Sequence, residues 1–192
     1  EIVEPPVYLP LGETQMDRVL ARILKDEPDL IINTINGDTN TSFFRVLRGQ
    51  RKFDHISTIS FSVGKQELSN LDPASLVDDY IASSYFQNMD LEANTKFVSK
   101  LQQKSISSVT DAMVTAYSSV HLWAKAVEVA GTEKSQKVRE ILKDQSFEGP
   151  AGKIWFDPES NHAYRRFLLG KIEADGSFKI INLENNNPIR PE

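Results

Sequence analysis

Asn36, Gly37, Asp38 and Asn40 follow closely on the apolar run Leu30-Ile31-Ile32, placing a carboxamide, a glycine, a carboxylate and a second carboxamide in one short stretch. A carboxamide both donates and accepts, and a carboxylate accepts from an amide NH2 group. Gly37 lets the backbone turn sharply and approach a ligand closely. Free N–H groups at the start of the following helix can hold a carbonyl oxygen. The chemistry is hydrogen-bonded capture of something small and polar. The same residues also allow a plainer reading, in which Asp38 caps its own helix while Asn36 and Gly37 complete a turn. Ser62 ends the next strand with a hydroxyl that can donate and accept, or it is a loop serine. Tyr85, in Ser84-Tyr85-Phe86, offers a wide ring with a polar tip that could wall a small pocket, or it packs in the core.

Other chemistries find little support. His55, His121 and His162 have no spacing relation to one another, so no metal site is expected. There is no G-x-S-x-G, no S-x-x-K, and no Walker or dinucleotide glycine pattern. The absence of cysteine removes thiol catalysis, disulfides and thiolate metal sites. Asp157-Pro158-Glu159 reads as a turn after a strand, with a catalytic carboxylate pair as the alternative. The expectation is therefore binding rather than catalysis, with no cofactor. A net charge of −5 and a pI near 5.3, with dispersed basic residues, argue against nucleic acid. No apolar run approaches the ~18 residues of a membrane span. The opening Glu1-Ile2-Val3-Glu4-Pro5-Pro6 lacks the features of a signal peptide, which suggests a cytosolic chain or a mature or trimmed one.

The elements that must position these groups read as follows. With 192 residues, 40% of them hydrophobic, the chain can bury a core as one large domain or two small ones. Residues 2–9 read as an edge strand with proline. Thr14 and Asp17 resemble a capping box. Met16, Val19, Leu20, Ile23 and Leu24 then recur at helical spacing. Residues 30–33 are the second strand, and Asp38 or Thr39 caps a helix that buries Phe43, Phe44 and Leu47. Residues 58–61 are the third strand, 64–70 a short helix, and 79–86 a fourth extended segment. Strand–helix alternation with short connections predicts an α/β fold, an open parallel sheet with helices on both faces. Residues 91–104, 111–130 and 134–144 read as a helical block without strands of its own. In the middle helix Met113, Ala116, Tyr117, Val120, Ala124 and Val127 form one stripe, and Leu122, Trp123, Ala126 and Val129 lie outside it. Such a helix is expected to be buried on more than one side. Gly131 ends it. Strands return at 152–156, 166–172 and 178–182, with Asp175-Gly176 as a hairpin turn, and residues 185–188 form a closing loop.

Taken together, these segments resemble the type I periplasmic binding proteins, in particular the urea and short-chain amide branch. The matching words are Tyr8-Leu9-Pro10-Leu11-Gly12, Pro28-Asp29, Asn33-Thr34-Ile35-Asn36-Gly37-Asp38-Thr39-Asn40, Phe43-Phe44-Arg45-Val46-Leu47, Ser60-Phe61-Ser62 and Ser84-Tyr85-Phe86-Gln87. Further on come Gln145-Ser146-Phe147-Glu148-Gly149-Pro150 with Gly152, Phe156-Asp157-Pro158-Glu159, Asn161-His162 and Pro188-Ile189-Arg190-Pro191-Glu192. The resemblance implies two α/β lobes joined by crossing strands, with the ligand held between them. It assigns residues 1–84 to the second lobe and 85–146 to a helical segment packed on a first lobe whose own sheet is missing here. Residues 147–192 then return to the second lobe. It implies that Asn36, Gly37, Asp38 and Ser62 line the cleft and that Tyr85 lies at the crossing. The implied function is capture of urea, a short-chain amide or a small amino acid for the membrane permease of an ABC transporter, in the periplasm or outside the cell. The alternative it leaves is a ligand-sensing domain of a signalling or amidase-regulating protein, which would be cytoplasmic in the regulator case. An enzyme of amide metabolism would need a nucleophile or metal that the sequence does not display. A partner-binding fragment would use the 111–130 helix face for dimerisation.

Overall fold

The computed structural model describes residues 2–181 and 188–190. Glu1, Asn182, the loop expected over 185–187, and the closing Pro191 and Glu192 lie outside the described residues. In chain order the elements are α1 (Asp17–Asp26), β1 (Leu30–Asn33), α2 (Asp38–Arg48), β2 (Ser57–Ser60), α3 (Lys65–Leu68), β3 (Tyr80–Ser83), α4 (Glu92–Gln102), α5 (Asp111–Ala130), α6 (Ser135–Leu142), β4 (Ser146–Gly149), β5 (Gly152–Phe156), β6 (Ala163–Arg166), β7 (Leu168–Ile172), β8 (Phe178–Ile181) and β9 (Pro188–Ile189). Two compact units result, one from Glu1–Ala82 with Leu169–Ile181, the other from Ser83–Leu168 with Asn182–Glu192.

The first unit carries a five-stranded sheet in the order β1-β2-β3-β7-β8. β1, β2 and β3 run parallel, and β7 and β8 form an antiparallel hairpin. The hairpin turn falls at Asp175-Gly176 as expected, with Gly176 at φ 76°. The fold is α/β with a parallel-containing sheet. α1 buries Val19, Leu20 and Ile23 at the predicted spacing. α2 buries Phe43 and Phe44, each 2% exposed, and Leu47 at 0%. Enclosing side chains of this size contributes roughly 1.5–3 kcal/mol each.

An ion pair fixes the end of the sheet where β2 and β3 begin. Arg48, the last residue of α2, pairs with Asp79, just before β3, and both side chains are buried. Arg48 Nε donates to Asp79 Oδ2 at 2.9 Å, and the guanidinium also serves the carbonyls of Phe53 and Ile56. Asp79 Oδ1 further accepts the Thr58 N–H at 2.8 Å. Helix end, loop and two strand starts are thereby held together, and the opposite strand ends are left for other work.

Three local expectations fail for identifiable reasons. Residues 2–9 form no strand, since Pro5, Pro6 and Pro10 supply no N–H for a ladder. β1 is consequently the edge of its sheet among the described strands. Thr14 and Asp17 form no capping box, because Met16 occupies the cap position without a side-chain bond. The Glu13 carboxylate accepts the Thr14 and Gln15 N–H groups instead, at 2.8 and 2.7 Å. Neither Asp38 nor Thr39 caps α2, since the cap residue is Gly37.

The second unit holds α4, α5 and α6 with a four-stranded antiparallel sheet, β4-β5-β6-β9. The helical block therefore does have strands of its own. The chain rejoins the first unit at Leu169, not at 147, so β4, β5 and β6 belong with the helices. α5 starts at Thr110, whose side chain accepts the Met113 N–H, and stops at Gly131 in the left-handed conformation. Its buried stripe is Val114, Ser118, Leu122 and Ala126. The expected stripe lies mostly outside this one: Val120 is 63% exposed, and Trp123 and Val129, from the other expected face, are 51% and 59% exposed. The helix is covered on one side only by the described residues.

Candidate functional site

Parallel pairing of β1 with β2 sets Asn33 opposite Ser60. The ladder continues one step further, with the Phe61 N–H donating to the Asn33 carbonyl at 3.0 Å. Asn36, Gly37 and Asp38 therefore leave one strand end while Ser62 leaves its neighbour, at the same edge of the sheet. Gly37 adopts φ 63° and ψ −147°, a region open essentially to glycine. That turn is what carries the chain from β1 into α2. Asn36, Gly37 and Asp38 are exposed and Ser62 is partly so. Asn36 Nδ2 makes one long bond, 3.4 Å, to the Thr34 carbonyl. The Asp38 carboxylate and the Ser62 hydroxyl have no bonded partner among the described residues. Asp38 sits in the first turn of α2, where the helix dipole favours its negative charge.

A layer of buried polar groups holds this edge in place. Asn33 Nδ2 donates to Asn40 Oδ1 at 2.9 Å and to Ser60 Oγ at 3.0 Å. Asn33 Oδ1 accepts the Ile35 N–H at 2.9 Å, which folds the chain over the strand end. All three side chains are 1–2% exposed. Thr39 Oγ1 donates to the Pro10 carbonyl at 3.1 Å and accepts the Gly12 N–H at 2.8 Å, tying the loop before α1 to the start of α2. Asn40, which the sequence presents as a second ligand-facing carboxamide, is instead buried behind the rim. The sequence offers Thr39 only as a cap and does not single out Asn33 and Ser60 for this role. One signal was available for Asn40: it stands on the same face as Phe43, Phe44 and Leu47, at helical spacing, so it must be buried with them.

Tyr85 belongs to the second unit and is 2% exposed. Its hydroxyl donates to Asn94 Oδ1 at 2.8 Å, and Asn94 Nδ2 donates to the Gln87 and Met89 carbonyls. Burial, with the Asp111 charge adding to it, pushes the phenol well above its ordinary range. Asp157 is also buried, in the turn between β5 and β6. It accepts the Ser160 N–H at 2.8 Å, while its own N–H and carbonyl bond to His162 and Asn161. The structure thus gives Asp157 a turn-forming role. Among the described residues no cluster of histidine and acidic side chains could hold a metal ion, and no helix is long and apolar enough to cross a membrane.

The profile of the periplasmic binding protein domain matches residues 3–192. The chain belongs to the periplasmic binding protein family. This periplasmic binding protein domain is also similar to solved structures. A periplasmic binding protein from Burkholderia mallei superposes with TM-score 0.81 at 16% identity, over 92% of this chain and 48% of that one. An amino acid ABC transporter substrate-binding protein from Pseudomonas fluorescens Pf-5 gives 0.78 at 16% identity, over 94% and 52%. A solute-binding protein of an ABC transporter from R. palustris, in complex with 4-hydroxybenzoate, gives 0.78 at 22% identity, over 94% and 52%. At such identities the likeness is one of fold, that of the type I periplasmic binding proteins. A curated protein, limonene hydroxylase of Geobacillus stearothermophilus, is 26% identical over 115 residues, 58% of this domain and 21% of that protein. The domain spans about half the length of the solved structures it matches.

Proposed function

We propose that this periplasmic binding protein domain forms one wall of the ligand site of a solute-binding protein serving an ABC transporter. In this reading the ligand is urea, a short-chain amide or a similarly small polar solute. The observation that carries it is the edge at Asn36-Gly37-Asp38 and Ser62. A carboxylate and a hydroxyl there are uncommitted, and buried asparagines behind them hold the turn rigid. Asp38 would accept the ligand's N–H groups, while Ser62 and the N-terminal N–H groups of α2 would meet its oxygen. Preorganised donors and acceptors lose little freedom on binding, so a small solute can be held by few contacts. Tyr85, enclosed and bonded to Asn94, supports its own segment in this reading.

One wall cannot enclose a solute, since small-molecule sites bury about 70–90% of the ligand. The opposing wall would come from sequence outside this chain, and the exposed face of α5 at Val120, Trp123 and Val129 would pack against that same part. Its work is capture, with release to a permease in the periplasm or outside the cell. A ligand-sensing domain would use the same rim, differing only in what reads the bound state.

Calorimetry on the full-length parent with urea, formamide and acetamide tests the reading, with leucine and 4-hydroxybenzoate included as carboxylate ligands. Heat from a neutral amide is expected, with Asp38→Ala and Ser62→Ala each weakening binding about tenfold or more. Binding of carboxylates alone, or variants that bind as tightly as the parent, would overturn it.

A further inference from the structure

We propose that Asn36-Gly37 is a self-modification site, at which the folded chain converts Asn36 to aspartate and isoaspartate without an enzyme. Asparagine followed by glycine occurs once in the sequence, at this position. Glycine has no Cβ to crowd its own backbone nitrogen, so that nitrogen can approach the preceding side chain closely. The fold leaves this approach open. Asn36 and Gly37 are both exposed. The Asn36 carboxamide makes a single bond, 3.4 Å long, and the Gly37 N–H has no acceptor among the described residues. Nothing lies within 4 Å of a Cβ built on Gly37, so the space beside it is clear. The buried bonds of Asn33 and Asn40 fix the backbone on either side, but none of them engages the Asn36 side chain or the Gly37 nitrogen.

The chemistry needs only hydroxide and water. Hydroxide removes the Gly37 N–H proton, and the nitrogen attacks Asn36 Cγ. The N–Cγ bond forms and the Cγ–Nδ2 bond breaks. Nδ2 takes a proton from water and leaves as ammonia, which restores the hydroxide and closes a five-membered succinimide. Water then opens the ring at either carbonyl. Breaking the N–Cγ bond gives aspartate. Breaking the bond from nitrogen to the Asn36 backbone carbonyl carbon gives isoaspartate, with the chain rerouted through Cγ. Gly37 caps α2, so the positive end of that helix favours the charge developing on its nitrogen, partly offsetting the Asp38 carboxylate.

Either product sets a second carboxylate beside Asp38 and removes the Asn36 donor. Isoaspartate also lengthens the turn between β1 and α2 by one backbone carbon. Weaker capture of a neutral solute by the aged rim rests on the function proposed above; the modification itself does not.

The test incubates the full chain warm at mildly alkaline pH, folded by circular dichroism, then maps its peptides by mass spectrometry. Expected is loss of unmodified Asn36, its peptide splitting into two species of equal mass, heavier by one amide-to-acid exchange. Asn33, Asn40 and Asn94, which are buried, should stay intact. The more abundant species should accept a methyl group from an isoaspartyl methyltransferase. Asn36→Gln should abolish the conversion, because its longer side chain closes a larger ring more slowly. An Asn36 peptide that stays intact in the folded chain but converts in the urea-unfolded chain would overturn the proposal. Conversion spread equally over the asparagines would do the same. Should Asn36→Gln not fold, the map of the unmodified chain decides alone. A full-length parent that converts at Asn36 yet binds no amide supports this site while removing the ligand reading.

Discussion

Asn33 commits every hydrogen-bonding position that faces its neighbours: to Asn40 and Ser60 as donor, to the Ile35 N–H as acceptor. Asn33→Ala would strand all three partners, two of them buried side chains. A loss of about 2–4 kcal/mol is expected, read as a lower urea midpoint at unchanged m-value. Asp157 supplies a pH-dependent counterpart. The Ser160 N–H, the Ser160 hydroxyl and then the Arg190 charge hold its carboxyl below the usual range. A carboxyl depressed on folding adds stability that is complete above its unfolded value, about 3.9. That stability drains away as pH falls through the folded value. Asp157→Asn should therefore lower stability at neutral pH and flatten the acid limb below about pH 4. Urea midpoints measured along a descending pH series check both parts.

At the scale of elements, the β1–α2 turn depends on the backbone of one residue. Nothing lies within 4 Å of a Cβ built on Gly37, so Gly37→Ala meets no steric obstacle beyond its own φ of +63°. A cost of roughly 1–3 kcal/mol is expected from strain alone, with α2 otherwise intact by circular dichroism. This turn, β1, β5 and α5 were legible in the sequence because each is announced locally. An apolar run ends in Asn and Gly; Thr110 precedes and Gly131 follows a long helical pattern. The burial of Phe43, Phe44 and Leu47 follows from spacing in the same way. The orientation of α5 did not. Its apolar residues cover both sides, and periodicity alone cannot show which side has a partner. The stripe that is buried even includes Ser118. β4 was missed because four residues around Phe147 acquire their strand identity from antiparallel pairing with β5, a non-local event. The edge at Asn36 and Ser62 was legible as two strand ends, but its rigidity was not, because Asn33, Asn40 and Ser60 meet only after the parallel pairing has formed.

At the scale of the molecule, the chain leaves the first unit after Ala82 and returns at Leu169. Each unit then has its own sheet and its own buried set. The buried Arg48–Asp79 pair secures the first unit. Asp79→Ala would leave a guanidinium uncompensated and is expected to cost about 3–5 kcal/mol, measured by thermal melting. The exposed α5 face behaves oppositely. Val120→Lys with Trp123→Lys replaces apolar side chains that are 63% and 51% exposed, so the melting temperature should fall little while light scattering at high concentration falls. β1 carries a different hazard. Leu30 and Ile32 are 41% and 65% exposed on β1, whose outer side pairs with no strand among the described residues. Strips of that kind can nucleate fibrils by stacking copy on copy, and Pro28 and Asp29 act as gatekeepers at one end. Agitated, partly unfolded samples should therefore seed from residues 30–32, and a lysine at position 32 should lengthen the lag before thioflavin fluorescence rises.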